Sequence, residues 1–300
     1  MLVGLSGGSD SVALTLLLRE LAPTMRFEVA GAAHLHHQLR ETADRDEAFC
    51  RNLAERVGLE FRTVRSDVRA AAARDGLSLE DAARRARYEF LDRAASELGA
   101  SRIAVGHTLD DQAETFLLKL ARGAGPAGLG GIYLSKGRVV RPLLEVSRAD
   151  LREYLTAGGQ PWVDDETNAD VGNPRNCVRH EVLPHLEAAL ALPVRRAIAR
   201  AAVLLGEDAV WLDAMAAEIL AAVSGSGPDG LELDAERLRA TPLPLTRRIL
   251  FQALRSRANG REVGLDHVQS ALDVLTGLSG GSDLPGSRVE LRGKKLVLIQ

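Results

Sequence analysis

The chain has 300 residues, of which 46% are hydrophobic and 26% charged, and its formal net charge at pH 7 is −3. This length and apolar content suit either one large domain with a smaller one or two comparable domains. The longest apolar run is too short to cross a bilayer, and no basic segment followed by an apolar one marks a secretory signal. A general nucleic-acid binder would usually be basic, so the total charge argues against that class but leaves room for a local basic surface.

The two cysteines are isolated in the sequence. Cys50 and Cys177 form no CxxC pair, so we expect no zinc knuckle, iron–sulfur cluster or disulfide framework. Unpaired cysteines are typical of reducing compartments. The cysteine usage therefore predicts a cytoplasmic protein.

The first half of the chain alternates apolar, β-like runs with amphipathic helical stretches. Strands are predicted at 2–5, 27–33, 59–64 and 103–105, and helices at 11–21, 42–57, 79–98 and 110–120. This alternation is typical of βαβ units and predicts an α/β fold in which helices cover both faces of a parallel sheet. Such sheets bind ligands beyond the carboxyl ends of their strands.

The second half is mainly helical and ends in a small α/β part. In chain order we predict a loop at 123–128, a short strand at 139–144, helices at 175–192 and 193–223, a glycine-rich break at 224–230, and a hairpin of strands at 288–291 and 295–299. These elements predict a catalytic domain at 1–190, a helical connector at 191–224 and a small C-terminal domain at 225–300.

A glycine- and serine-rich loop between the first strand and the first helix is a candidate phosphate site. It reads Ser6-Gly7-Gly8-Ser9-Asp10-Ser11. The glycines let backbone N–H groups approach phosphate oxygens, the helix adds its positive end, and Asp10 can hold magnesium. The loop is not of the Walker type, because it has no GxxxxGK[ST] pattern. The alternative interpretation is an ordinary turn between strand and helix.

The sequence GLSGGSD at residues 4–10 recurs identically at 277–283. The second copy continues into Leu284-Pro285-Gly286 and a strand, with no helix for a phosphate to face. We therefore predict that it is a turn.

The phosphate loop resembles the signature of the N-type ATP pyrophosphatases, and further segments make the resemblance more specific. These are HLHHQLR at 34–40, ARRARYEF at 83–90, GHTLDDQAET at 106–115, RPLL at 141–144, DDETN at 164–168, RNCVR at 175–179 and LP at 183–184. In this order they resemble the tRNA(Ile)-lysidine synthases, from the first residue to about residue 186 and again at Leu284-Pro285-Gly286. Relatives usually have a short stretch before the first strand, so an upstream start remains open, and the length matches the short form of the family.

The resemblance implies a carbon–nitrogen ligase that acts on the wobble cytidine of an isoleucine tRNA with a CAU anticodon. ATP, with magnesium, adenylates the C2 oxygen of the base and releases pyrophosphate. The ε-amine of free L-lysine then attacks C2 and expels AMP, which gives lysidine. The region after about Pro193 begins with a basic run and follows all the nucleotide motifs, so we predict that it binds tRNA. The oligomeric state is open, and a homodimer is one of the assemblies that the sequence allows.

Asp111 and Glu114 are three residues apart on a predicted helix, so their carboxylates share a face. Such a pair can bind a metal ion or the ammonium groups of lysine, or it can be a solvated helix face with Asp110 as the N-cap. Arg87 matches the family position that binds the lysine carboxylate. The resemblance therefore implies Asp10, Arg87, Asp111 and Glu114 as the catalytic set, in which a carboxylate accepts the proton of the lysine amine.

Several histidines and arginines are further candidates. Alternation along a strand directs His34 and His36 to one side and His37 to the other, so a substrate-positioning loop with His37 and Arg40 near tRNA is favoured over a metal site. His107 either hydrogen-bonds near ATP or fills the core. Residues 171–200 contain five arginines against two glutamates, and they predict a tRNA backbone contact, with a solvated helix as the alternative. These arginines are Arg175, Arg179, Arg195, Arg196 and Arg200.

Other functions remain as alternatives. A tRNA sulfur transferase of the same superfamily would need cysteines arranged to carry sulfur. An amide-forming ligase usually brings an ammonia source, and no glutaminase segment is evident. A non-catalytic nucleotide-binding module would have no use for Arg87, Asp111 and Glu114.

Overall fold

The computed structural model describes residues 1–38, 42–164 and 172–299. The chain forms two compact units, Met1–Gly206 and Glu207–Gln300. The division falls inside one long helix, α10 (Val194–Val223), whereas the sequence places a connector at 191–224. Within the described residues, no helix combines the length and the hydrophobicity needed to cross a membrane.

The first unit contains a mainly parallel sheet with the strand order β3-β2-β1-β4-β6-β5. Its strands are β1 (Leu2–Gly4), β2 (Gly31–His36), β3 (Glu60–Arg65), β4 (Ile103–Ala104), β5 (Ser135–Lys136) and β6 (Val139–Val140). Neighbouring strands are parallel except for β5, which pairs antiparallel with β6. This confirms the predicted α/β fold class.

Helices connect these strands or follow them along the chain. They are α1 (Ser9–Met25), α2 (Ala43–Arg56), α3 (Val68–Asp75), α4 (Leu79–Glu97), α5 (Leu109–Ala121), α6 (Pro126–Leu129), α7 (Arg148–Ala157), α8 (Pro174–Cys177), a π-helical segment (Val178–Val182) and α9 (Leu183–Leu190). Helix α7 was not predicted from the sequence. Its start is defined by a capping box, in which Ser147 accepts from the backbone N–H of Asp150 and Asp150 accepts from that of Ser147.

Helices cover both faces of the sheet because neighbouring strand residues face opposite sides. Val3 packs with α1, α2 and α7, in a core that includes Leu14, Leu53 and Leu151. Leu2 packs on the other face, against residues of α4 such as Leu91.

Two predicted strands differ from the structure. Strand β2 begins four residues later than predicted, because Gly31 is the first residue that pairs with both β1 and β3. The strand predicted at 139–144 ends at Val140, and Pro142, which has no N–H, cannot extend a ladder.

The fold positions the phosphate loop at a switch point of the sheet. From β1 the chain order runs outward through β2 and β3 on one side and through β4 and β6 on the other. In such sheets the crevice at the carboxyl ends of the central strands is the usual ligand site. The segment after β4 packs directly on the start of α1, since a Cβ on Gly106 would lie 3.1 Å from the Asp10 backbone.

The second unit contains an antiparallel sheet with the order β7-β8-β11-β10-β9. Its elements are β7 (Ser224–Gly227), β8 (Gly230–Asp234), α11 (Ala235–Ala240), α12 (Leu243–Arg257), α13 (Leu265–Thr276), β9 (Gly281–Leu284), β10 (Ser287–Arg292) and β11 (Lys295–Ile299). The predicted terminal hairpin is confirmed as β10 and β11. The repeated sequence at 277–283 ends α13 and enters β9, so no helix follows it, as predicted.

Candidate active site

The conformation of the loop after β1 depends on its glycines. Gly7 has a φ of +92°, a conformation that residues with a side chain rarely adopt. A Cβ at this position would also lie 3.4 Å from the sulfur of the buried Cys50. The Gly7 carbonyl accepts from the Val163 N–H at 2.9 Å.

The hydroxyl of Ser11 organises the inside of this loop. It donates to the Gly8 carbonyl at 3.0 Å and accepts from the Ser6 N–H at 3.1 Å. Gly8 is the N-cap of α1, and within the described residues no side chain caps this end of the helix. The Ser11 N–H already donates to the Gly8 carbonyl, which leaves the N–H groups of Ser9 and Asp10 for an anion, as phosphate binding requires.

The loop lines a cavity of about 670 Å³, within the range of roughly 300–1,000 Å³ that is typical of small-molecule sites. Of the residues predicted from the sequence, the following line it: Ser6, Gly8, Ser9, Asp10, Ser11, His37, Arg87, Asp111 and Arg179. One cavity therefore joins the phosphate loop to three of the four predicted catalytic residues.

A cluster of alternating charges lies beside the phosphate loop. Arg148 of α7 is at its centre: Nε donates to Asp10 Oδ2 at 3.0 Å, Nη2 donates to Asp111 Oδ1 at 3.2 Å, and Nη1 lies 3.5 Å from Glu114 Oε1. Arg148 was not among the residues predicted from the sequence. The capping pattern Ser147-x-x-Asp150 could have predicted a helix starting at this residue, but not the direction of its side chain.

Two further arginines close the cluster around Glu114. Arg175 Nε donates to Glu114 Oε2 at 2.8 Å, and Arg179 Nε donates to Glu114 Oε1 at 2.6 Å. The Glu114 side chain is 1% exposed and does not line the cavity. The acidic pair is therefore not a solvated helix face, and Glu114 already has two strong cationic partners.

The surroundings shift the pKa values of the two cavity carboxylates in opposite directions. Burial raises the pKa of Asp10, and the charge of Arg148 only partly opposes this effect. Burial would also raise the pKa of Asp111, but Arg148 and Arg175 outweigh it, and the net result is a lowered pKa. Asp111 is therefore a stable carboxylate and a weak base.

Arg87 differs from the other arginines of the cavity wall. Solvent reaches its side chain through the cavity, yet the surrounding protein atoms desolvate the guanidinium, and this burial lowers its pKa. Arginine remains protonated even so. Within the described ranges, no carboxylate lies within ion-pair distance of Arg87, so this cation is available to an anionic ligand.

The histidines line the cavity, and one of them belongs to a possible metal-ligand group: within the described residues, one ligand atom each of His36, Asp44 and Glu47 lies within 4.8 Å of the others. His36 accepts from the Gln38 N–H through Nδ1, so in its neutral form Nε2 carries the proton. Nε2 lies 3.2 Å from Asp44 Oδ1 but makes no hydrogen bond within the described residues, and Asp44 also pairs with Arg65. Burial lowers the pKa of His107 to about 4, so this side chain is neutral at pH 7.

The predicted basic surface is smaller than expected. Arg175 and Arg179 face Asp111 and Glu114, and Arg195 lies 3.4 Å from Asp110 and also pairs with Glu187. Buried carboxylates attract these side chains inward, so their charges are compensated. Arg196, with a side chain that is 66% exposed, stays at the surface with Arg200. Arg40 and residues 165–168 of the DDETN segment lie outside the described residues.

The model of the PP-loop domain family matches residues 1–186. The chain is 38% identical to the tRNA(Ile)-lysidine synthase of Geobacter sulfurreducens, over 99% of this chain and 62% of that protein. It is 46% identical to the Thermus thermophilus protein of the same name, over 69% of this chain and 39% of the relative, and 32% identical to that of Chlorobaculum tepidum, over 97% and 87%. The chain thus spans about three fifths or less of the first two relatives.

The first unit also resembles a solved structure, the U34-tRNA thiolase NcsA from Methanococcus maripaludis. The TM-score is 0.55 at 21% identity, over 69% of this chain and 71% of the other. At this identity the likeness concerns the fold alone.

Proposed function

We propose the function below on the basis that the chain belongs to the tRNA(Ile)-lysidine synthase family of PP-loop proteins. In this proposal the protein ligates lysine to C2 of the wobble cytidine of an isoleucine tRNA with a CAU anticodon. The C2 oxygen attacks the α-phosphorus of ATP and pyrophosphate leaves. The ε-amine of lysine then attacks C2, the C2–O bond breaks with loss of AMP, and the amine gives up a proton. The observation that carries the proposal is the single cavity shared by the phosphate loop, Arg87 and Asp111.

The phosphate loop suits the triphosphate of ATP. Backbone N–H groups of Ser9 and Asp10 at the uncapped start of α1 can donate to phosphate oxygens, and the Ser6 and Ser9 hydroxyls can add to them. Hydroxyl and carboxylate oxygens are also the donors that magnesium prefers, so the loop fits that ion. Asp10 would hold it, and the ion would neutralise charge on the phosphates.

Arg148 supports catalysis by holding Asp10 and Asp111 at a fixed separation. When a magnesium ion or an ammonium group approaches, these carboxylates exchange one cationic partner for another. Neither carboxylate is left uncompensated during this exchange. We therefore add Arg148 to the residues that position the site.

We propose that lysine binds between Arg87 and the acidic pair. Arg87 meets the lysine carboxylate, and its guanidinium has the planar fork for that contact. Asp111 lines the cavity as a stable carboxylate and pairs with an ammonium group of lysine. Glu114 does not line the cavity and contributes only its negative charge. Because Arg148, Arg175 and Arg179 already neutralise the acids, lysine must displace part of one arginine contact to bind.

Exposed arginines are the proposed contacts for the tRNA backbone. In the first unit these are Arg196 and Arg200 on α10. In the second unit, Arg247, Phe251 and Arg255 follow at four-residue spacing along the exposed side of α12. Neither arginine has an ion pair within the described ranges. Phe251 is 37% exposed, and an exposed aromatic ring between two arginines suits RNA, which offers phosphates and base faces.

The cysteines argue against the sulfur-transfer alternative. Cys50 is buried, donates to the Leu5 carbonyl, and has a pKa that burial raises to about 12. Cys177 hydrogen-bonds Glu181, which raises its pKa. Raised pKa values disfavour the thiolates that sulfur chemistry needs. Free thiols of this kind also support the proposal that the protein acts in the cytoplasm.

A partial-reaction assay tests the proposal. Pyrophosphate release from ATP is followed with and without the tRNA, and with lysine, ammonia or a sulfur donor as the second substrate. We expect release that requires the tRNA, and incorporation of lysine only. Release without tRNA would favour an amide-forming ligase, and sulfur incorporation would favour the transferase.

A further inference from the structure

His34 is a buried imidazole in the wall of the cavity, and the proposed mechanism does not use it. It lies on β2 and is 6% exposed. Its Nδ1 is 3.0 Å from the carbonyl oxygen of Leu5, the residue directly before the phosphate loop. The histidine therefore links the second strand to the start of that loop.

The hydrogen bond to Leu5 fixes the tautomer of His34. A carbonyl oxygen can only accept, so Nδ1 must carry the hydrogen. In a neutral imidazole, Nε2 is then an acceptor. Burial lowers the pKa of His34, against weaker opposing effects of the hydrogen bond to Leu5 and of the charges of Glu47 and Asp46, and His36 adds to the lowering. The ring is thus neutral at physiological pH.

This acceptor has no partner among the residues that the structure describes. Within the described residues, Nε2 of His34 has no hydrogen-bond partner. Placing a hydrogen-bonding atom in a cavity wall without a partner is unfavourable unless water or a ligand supplies one. A ligand group that donates a hydrogen bond is the complementary chemistry.

The two sides of the cavity differ in chemistry, which indicates how a nucleotide would lie. The side towards α5 and α7 carries Asp111 and Arg148, together with Arg179. The side of β2 and α2, where His34 is located, offers Ala33, Leu35 and Ala43 together with His36, His37 and the carboxylate of Asp46. With phosphates on the loop between them, the nucleoside, which has apolar faces and hydrogen-bond donors, fits the β2 side, and the reacting groups fit the side with the arginines.

We propose that His34 Nε2 accepts a hydrogen bond from the nucleoside of ATP, from the 6-amino group of adenine or from a ribose hydroxyl. His34 then has two roles through its two nitrogens. Nδ1 holds the strand end that leads into the phosphate loop, and Nε2 selects a nucleoside with a donor. This inference rests on the proposed binding of ATP.

Two substitutions separate the roles of the nitrogens. In His34→Asn the amide nitrogen can occupy the position of Nδ1, which keeps the bond to Leu5 and removes the acceptor. In His34→Gln the longer side chain can bring its amide oxygen to the position of Nε2, which keeps an acceptor and removes the bond to Leu5. Thermal unfolding of both variants shows whether each one is folded.

The test is direct binding of four nucleotides to the wild-type chain and to both variants. They are ATP, purine riboside triphosphate without the 6-amino group, and the 2′-deoxy and 3′-deoxy forms of ATP. Removing one hydrogen bond weakens binding by about three- to tenfold. We expect His34→Asn to weaken ATP binding by this factor. We also expect the affinity of this variant for one of the analogues to equal its affinity for ATP. That analogue identifies the donor, and His34→Gln should keep the wild-type preference.

Equal affinity of His34→Asn and the wild-type chain for ATP, with unchanged preferences, would overturn the role of His34. An equal loss for all four nucleotides would also overturn it, because that pattern reports a distorted loop. Absence of ATP binding by the wild-type chain would instead overturn the proposed function itself.

Discussion

Arg148 Nε donates to Asp10 Oδ2 at 3.0 Å, and this bond connects helix α7 to the first turn of α1 at the phosphate loop. The same guanidinium reaches Asp111 at 3.2 Å. One side chain therefore sets the separation between the proposed nucleotide site and the proposed lysine site.

We predict that Arg148→Ala lowers both stability and pyrophosphate release. Removing one partner of a buried ion pair lowers the free energy of unfolding by about 3–5 kcal/mol, because the buried carboxylates lose one of their positively charged partners. Urea unfolding and the release assay measure the two effects. Arg85→Ala, which breaks an exposed pair with Glu89, is the matched control and should change stability by less than about 1 kcal/mol. Similar effects of both variants would contradict the central position of Arg148.

Asp10→Ala should abolish pyrophosphate release while the protein stays folded, since the magnesium-bound triphosphate loses its anchor. The repeated sequence provides the control. Asp283→Ala changes the equivalent residue in the second copy, which leads into a strand, and it should leave ATP binding intact. Loss of ATP affinity in Asp283→Ala would show that the phosphate site is at the second copy.

Arg87→Ala should separate the two half-reactions. It should leave tRNA-dependent pyrophosphate release measurable but nearly abolish lysine incorporation, or raise the lysine requirement by tens- to thousands-fold, since a charge-assisted pair contributes about 2–5 kcal/mol. Arg93→Ala, at an exposed residue of the same helix that does not line the cavity, is the control. If Arg87→Ala reduces both signals equally at saturating lysine, Arg87 belongs to the ATP or cytidine pocket.

The α12 arginines should contribute to the salt dependence of tRNA binding. Replacing Arg247 and Arg255 with alanine should reduce the log–log slope by up to about 0.9 for each phosphate that the protein no longer neutralises. Replacing Arg288 and Arg292 removes the same charge, but both side chains pair with Glu290. That control should change the slope less. Equal changes would mean that total charge, and not the α12 surface, determines binding.

Lowering the pH should destabilise the fold, because the partly buried His107 side chain then becomes protonated. Its folded pKa of about 4 lies below the value of about 6.5 in the unfolded chain, so the unfolded state binds more protons between these pH values. Stability is therefore full above pH 6.5 and falls as the pH drops towards 4, by about 3 kcal/mol at most. Asp111 opposes this effect and Arg141, Arg175 and Arg84 add to it. Urea unfolding at pH 7 and pH 4.5 should show a smaller difference in a His107→Gln variant, and an unchanged difference would refute this origin.

Local patterns predicted the elements of the site but not the way in which they combine. The spacing of Asp111 and Glu114 predicted a shared helix face, and both lie on α5. The partners of Glu114 come from Arg148, Arg175 and Arg179, which are 34 to 65 residues further along the chain. Helical periodicity contains no information about contacts over such distances, so Arg175 and Arg179 were predicted to be surface charge and Arg148 was not predicted. Likewise, the start of β2 depends on which residues β1 and β3 pair with.

Incorporation of labelled lysine into two matched tRNA transcripts tests the central claim most directly. One transcript carries the CAU anticodon and the other has its wobble cytidine replaced by uridine. We predict ATP-dependent incorporation into the first transcript and none into the second, with loss of the signal in Asp10→Ala. No incorporation into the first transcript by the folded wild-type chain, or equal incorporation into both, would contradict the proposed lysidine synthesis.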